Sequence, residues 1–234
     1  MALYADADLL LVENCRIASR QDSLCTGPLP KNPPPKGINL IHPVAGLGAD
    51  KPVLPFRQLY RRCLIEGDVD FIFGSSLAVF EACEIKSLVR LAPQPSVAPA
   101  SEQPPEVLKG WITAPSTYPG QKTGFVFLDC ALTSDLTSES QPRAKAANTY
   151  LGRPWRHTGR AVFIRCHMGS HILPEGWDDW GKPKARMYRG FGEFASIGPG
   201  APGIAARVAW ARALTETEAA TYYFLAFPKW ALTV

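Results

Sequence analysis

Asp70 is the residue least in keeping with its neighbours. It stands in the phrase GDVDFIFGSSLAVFEACEI, between Val69 and Phe71-Ile72-Phe73, in a run otherwise suited to a buried strand. A carboxylate placed there is costly unless it is paired or hydrogen-bonded. It reads either as a group kept for chemistry or as a turn residue beside Gly67 and Asp68. A second carboxylate, Asp22, follows Gln21 in RQDSL, a pairing that also suits a turn. Arg153 and Trp155 stand in YLGRPWRHTGRAVF, ahead of a strand-like stretch. The arginine is an exposed loop cation or a bidentate partner for a carboxylate. The tryptophan is a core residue or a flat platform for a sugar ring. Taken singly, each of these residues has a plain structural reading.

What would bring them together is a repeat. LLLVENCRI, RQLYRRCLI, LAVFEACEI, GFVFLDCAL and RAVFIRCHM share one pattern: apolar residues, two mostly polar ones, Cys, one residue, then an apolar residue. The cysteines are Cys15, Cys63, Cys83, Cys130 and Cys166, separated by 48, 20, 47 and 36 residues. Alternation around each Cys has period two, the mark of a strand with one buried face. Similar strands in one phase can stack as the coils of a parallel β-helix, with a ladder of like side chains inside. The spacing of 20 is about one coil; the longer ones are two coils, or one coil with an extruded loop. The interval from Asp22 to Asp70 equals that from Cys15 to Cys63, which puts the two aspartates on neighbouring coils.

The cysteines read as small apolar core residues. Cys63 and Cys83, one coil apart, could also bond in an oxidising compartment. Cys25 lies outside the repeat. No cysteine or histidine spacing suggests a metal. Residues 28–37 and 93–106 are too rich in proline to join a ladder and read as extruded loops. Near the end, LTETEAATYYFLAF reads as a short helix with Thr215 as N-cap and Glu218 completing a capping box. Such a helix is expected to cover the open end of the stack.

The chain has 234 residues, 46% of them apolar, enough to bury a sizeable core. A net charge of +4 is too weak to argue for nucleic acid. Residues 139–190 carry ten Lys/Arg against four Asp/Glu, which suits either a polyanion or a solvated face. No apolar run is long enough to span a membrane. No signal peptide opens the chain, and its first residues already read as the middle of a fold.

QDSL, GDVDFIFG, LGRPW, ILPEGWDDWG, GEFASIGPGA and RVAW follow one another in the order and context of pectinesterases, and the resemblance runs from about Ala2 to Phe227. It implies an all-β, right-handed parallel β-helix of the pectin-lyase-like kind, forming one domain over residues 1–234. It implies an aspartyl esterase that removes methyl esters from pectin, with Asp70 resembling the nucleophile and Asp22 the general acid/base. By the same resemblance Gln21 is an oxyanion-stabilising donor, Arg153 pairs with the nucleophile, and Trp155 contacts sugar. Phe73, Thr158 and Trp177 fall at further positions near substrate. No cofactor or metal is implied. The expected partner is methylated polygalacturonate, met by a monomer in an extracellular or periplasmic setting, with no nucleic acid and no membrane.

The sequence departs from the family in three ways. A further Gln that usually precedes the Gln-Asp pair would fall before residue 1. The opening coils are absent, and Cys25 stands where an aromatic is common. The chain therefore reads as a piece of an active esterase, as a shortened enzyme, or as a β-helix that binds pectin-like glycans without turnover. A polygalacturonase or pectate lyase on the same fold is a weaker rival. The first would need a carboxylate pair across a glycosidic bond, the second calcium-binding acidic clusters.

Overall fold

The computed structural model describes residues 1–28, 56–92, 106–135 and 148–226. The chain winds in coils of three short strands. The first coil holds β1 (Leu3–Ala5), β2 (Leu10–Glu13) and β3 (Arg16–Ala18); the second β4 (Leu24–Thr26), β5 (Arg57–Arg61) and β6 (Leu64–Gly67). The third holds β7 (Val69–Gly74), β8 (Leu77–Glu81) and β9 (Glu84–Ser87); the fourth β10 (Gly110–Pro115), β11 (Phe125–Leu128) and β12 (Ala131–Ser134). The fifth holds β13 (Thr149–Gly152), β14 (Ala161–Ile164) and β15 (His167–Met168), and is followed by helix α1 (Pro183–Tyr188), β16 (Phe191–Phe194), β17 (Arg212–Ala213) and helix α2 (Glu216–Ala226). Like strands stack into three parallel sheets: β1-β4-β7-β10-β13, β2-β5-β8-β11-β14-β16-β17 and β3-β6-β9-β12-β15. The result is a parallel β-helix.

Registers give the coil lengths directly. Leu10 pairs with Gln58, Arg16 with Leu64 and Leu24 with Ile72, each 48 residues on. The next offsets are 20, 47 and 36 residues, so every cysteine spacing is one coil. Each repeat places its Cys at the corner between the second and third sheets. The residue before it is left-handed: Asn14, Arg62, Ala82, Asp129 and Arg165 have φ between 50 ± 3°. That backbone disfavours a side chain, and the coil beneath imposes it each time. A sixth corner, missed in the sequence, follows the same rule. Ala195 is left-handed and Ser196 takes the cysteine place, its Oγ accepting from the Cys166 N–H at 3.3 Å.

Cys63, Cys83, Cys130 and Cys166 are buried, but Cys15, on the outermost strand row, is exposed. All six are free thiols, so Cys63 and Cys83 are not bonded to each other. Their stacking explains this: each thiol points at the coil before it, Cys83 Sγ meeting the Tyr60 carbonyl at 3.3 Å and Cys130 Sγ that of Phe80 at 3.2 Å. Beside this ladder runs an aromatic one. Tyr60, Phe80, Phe127 and Phe163 stack with centroids 4.9, 4.5 and 4.3 Å apart. The row continues through Trp177 and Phe191 to Trp210.

The capping box forms as expected. Thr215 Oγ1 accepts from the Glu218 N–H at 3.2 Å, and Glu218 accepts from the Thr215 N–H at 2.9 Å. The placement of α2 is a correction, however. It touches β8 and β11, in the middle of the second sheet, and so lies on the flank of the stack rather than over its end. The reason is visible in the strands. Leu59, Val79, Val126, Leu128, Val162 and Ile164 give that sheet a second apolar face, and Leu214 and Ala219 cover it. The Pro-rich segments lie outside the described residues except for Pro28 and Glu106.

Candidate active site

The first sheet carries the chemistry. In β7 the four residues from Val69 to Ile72 span the distance that three cover from Trp111 to Thr113 in β10. The extra residue makes a bulge, and Asp70 sits in it with φ 49°. One coil earlier Asp22 has φ 56°, and its N–H donates to the Val69 carbonyl at 3.1 Å. The 48-residue register between β4 and β7 thus stacks the two aspartates as the spacing predicted. Gly74 closes β7 with φ 128°, where any Cβ would run into the Thr26 backbone.

Arg153 enters from the end of β13. Its N–H donates to the Thr113 carbonyl at 2.9 Å, and Trp155 N–H to that of Pro115 at 3.1 Å. Gly152 is required just before it, since a Cβ there would overlap the Thr113 side chain. Arg153 then reaches Asp70 across 83 residues of sequence, Nε to Oδ1 at 2.9 Å and Nη2 to Oδ2 at 2.7 Å. The side chains are only 13% and 8% exposed. A guanidinium has donors only, so both Asp70 oxygens act as acceptors and neither carries a proton in this pair.

The two carboxyls differ in support. Burial pushes Asp70 above the usual carboxylate range, and the hydrogen bonds and charge of Arg153 pull it back without cancelling that effect. Asp22 is also raised, first by burial and then by the negative charge of Asp70, with a Gln21 hydrogen bond in opposition. Gln21 is exposed beside Asp22. Burial holds the neighbouring Cys25 thiol protonated, pushing it up to about 12.

Two aromatic groups follow the ion pair in sequence, Phe73 three residues after Asp70 and Trp155 two after Arg153. Phe73 and Trp155 are half-buried and meet edge to face at 5.9 Å. Thr158, also half-buried, donates its hydroxyl to the Thr117 carbonyl at 2.5 Å. Trp177 is not among them. It is 1% exposed and packs between Phe163 and Phe191 in the core ladder, so the structure corrects its placement near a ligand. The tryptophan of WDDW that does reach the site is Trp180. Trp180 and Trp111 lie on opposite faces of the Arg153 guanidinium, each 3.9 Å from it. Asp178 accepts from Trp111 Nε1 at 2.9 Å and from the Trp180 N–H at 2.8 Å. Lys182 lies 3.9 Å over the Trp180 ring and donates to the Pro154 and Trp155 carbonyls, both at 3.0 Å. Trp111, Trp180, Asp178 and Lys182 escaped the sequence reading. Two tryptophans three apart in GWDDW were its one available signal, and period alone does not say which faces inward.

The fixed, ionised carboxylate beside a second carboxyl biased toward its protonated form is an arrangement that can attack a carbonyl and protonate a leaving group. Known proteins point the same way. Residues 53–227 match the family model described as Pectinesterase. The chain is 37% identical over 170 residues to pectinesterase/pectinesterase inhibitor U1 of Solanum lycopersicum, covering 71% of this chain and 26% of that protein. It is 32% identical over 211 residues to pectinesterase/pectinesterase inhibitor PPE8B of Prunus persica, covering 90% of this chain and 32% of the relative. The chain therefore spans about a third or less of these relatives' length. Among solved structures, a pectin methylesterase from carrot superposes with a TM-score of 0.61 at 28% identity, over 94% of this chain and 60% of that one. A pectin methylesterase solved with a hexasaccharide shares the fold, with a TM-score of 0.63 at 24% identity over 97% of this chain and 59% of the other. With its repeat, its paired carboxylates and a family match over most of its length, this chain belongs to the pectinesterase family.

Proposed function

We propose that the chain is a carboxylic ester hydrolase that removes methyl esters from pectin, with Asp70 as nucleophile. The observation that carries this reading is the Asp70–Arg153 pair beside Asp22. Asp70 Oδ attacks the C6 carbonyl carbon of a methylated galacturonate. The oxyanion that forms is held by the Gln21 amide, a contact worth about 2.7–4 kcal/mol when one such donor is removed. The C–OCH3 bond breaks, Asp22 gives its proton to the departing oxygen, and methanol leaves. The acid remains on Asp70 as a mixed anhydride. Asp22, now a base, takes a proton from water as the water attacks the acyl carbon. Free galacturonate leaves, and both carboxyls regain their starting states. Arg153 keeps Asp70 ionised throughout, and Phe73 and Trp155 offer faces to the neighbouring sugar rings.

Methylated homogalacturonan is the partner in this reading, taken up by a single chain in an extracellular or periplasmic setting. A second reading, a pectin-binding β-helix with weak or no turnover, draws on one observation: the Gln21 side chain is exposed and already engaged with Asp22 rather than buried against an oxyanion site. Methanol release from methylated pectin separates the two. Asp70→Asn is expected to lower that release by about 10⁴-fold or more while the circular-dichroism spectrum stays unchanged. Turnover retained in Asp70→Asn removes Asp70 from the nucleophile's role. Binding of pectin by the unaltered chain without methanol release favours the second reading.

A further inference from the structure

Arg153 is held by more than its carboxylate. Trp111, from β10, and Trp180, from the segment between β15 and α1, lie against its two faces at 3.9 Å each. One carboxylate, Asp178, spaces both rings, through the Trp111 indole N–H and the Trp180 backbone N–H. Lys182 lies 3.9 Å over the Trp180 ring and grips the carbonyls of Pro154 and Trp155, in the motif that carries Arg153. The result is a stack of ring, cation, ring and cation that spans three coils.

This stack is not a sugar platform. Trp180 has the Arg153 guanidinium and the Lys182 ammonium each 3.9 Å from its ring, so the ring is engaged by cations rather than held open for a pyranose. What the stack does control is orientation. A guanidinium is planar and forks to Asp70 within its own plane, so the plane of Arg153 sets the plane of the Asp70 carboxylate. A flexible arginine pinned only at its tip would let that carboxylate rock.

We propose that Trp111, Trp180, Asp178 and Lys182 are positioning residues: they clamp Arg153 in one plane and so aim Asp70 at the ester carbonyl. This rests on the esterase reading for its catalytic part and on geometry alone for its structural part.

The test uses Trp180→Leu, Trp180→Phe and Asp178→Asn in the whole chain. The first readout is kcat and KM for methanol release from methylated pectin. The second, independent of activity, is the Arg153 Nε–H signal in ¹⁵N NMR, assigned by its loss in Arg153→Lys. Trp180→Leu is expected to lower kcat by about 10- to 100-fold with KM within about twofold, because a misaimed nucleophile loses rate rather than affinity. It is also expected to shift the Nε–H signal and speed its exchange with solvent. Trp180→Phe, which keeps a ring face, is expected to restore kcat to within about threefold of the unaltered chain. Asp178→Asn keeps an acceptor oxygen but loses one tie, and is expected to fall between them; it carries the test if Trp180→Leu does not fold. An unchanged Nε–H signal in Trp180→Leu and Asp178→Asn overturns the clamp. A raised KM with unchanged kcat also overturns it and makes the rings sugar contacts. If the unaltered chain releases no methanol, the esterase reading fails while the Nε–H comparison still decides the clamp.

Discussion

Among the described residues, the two most deeply buried arginine–carboxylate pairs of this solenoid are used differently. Arg153 bonds Asp70 through Nε and Nη2, and Arg207 bonds Glu193 through Nε and Nη2. Both are inside the protein: the Arg207 side chain is 1% exposed and that of Arg153 13%. Arg207 gives its other donors to the carbonyls of Leu173, Pro174 and Gly200, so backbone surrounds it. Glu193 pairs in register with Phe163, and so stands on the rung where the row of stacked phenylalanines stops. That pair closes a core. Arg153 instead turns its two faces to indole rings, and its carboxylate sits in a bulge with a left-handed backbone. A left-handed backbone is kept at Asp70, where its strain can serve a reaction, whereas Glu193, also covered, is an ordinary strand residue. A buried ion pair is therefore not a functional signal in itself; what the remaining donors and faces touch separates the two.

The largest effect is expected where the core is closed. Arg207→Met leaves Glu193 without its partner and should cost about 3–5 kcal/mol in urea unfolding, with ester hydrolysis per folded molecule unchanged. Adding Glu193→Leu should recover only part, because the carbonyls of Leu173, Pro174 and Gly200 still lack their donor. Arg153→Lys should do the reverse. A lysine keeps the charge but cannot fork, so methanol release should drop about 100-fold, roughly 2.7 kcal/mol of barrier, with little change in the urea midpoint. Equal losses of stability in Arg207→Met and Arg153→Lys would erase the distinction. The smallest effect concerns Asp22, raised by burial and by Asp70. A carboxyl whose folded pKa lies above its unfolded one disfavours folding when ionised, and that cost disappears as pH falls through the folded pKa. Asp22→Asn should thus melt slightly higher than the unaltered chain at neutral pH. The gap should close in acid, where Asp22 is protonated in both states. A gap that widens on acidification would reverse the sign assigned to Asp22.

The sequence by itself determined the coil architecture. The Cys-phased pattern has the period of a half-buried strand, and its intervals are the coil lengths, because stacking like upon like is how such strands bury their apolar face. It also held the stacking of Asp22 on Asp70, through the 48-residue interval they share with the repeat, and the Thr215–Glu218 cap, through local spacing. The family could be read there too, from motifs strung along the chain. Tertiary structure alone decided what depends on neighbours far away in sequence. It chose Trp177 for the core and Trp180 for the site, since a turn with Trp180 at φ 56° swings the second ring outward. It set α2 on the flank, because the second sheet is apolar on both faces. It left Cys15 exposed while the cysteines of later coils are covered. And it set Arg153, whose pairing with Asp70 the resemblance already implied, between two rings drawn from other coils, a placement no local pattern encodes because each partner is correct for its own strand and chemical only in the company of the others.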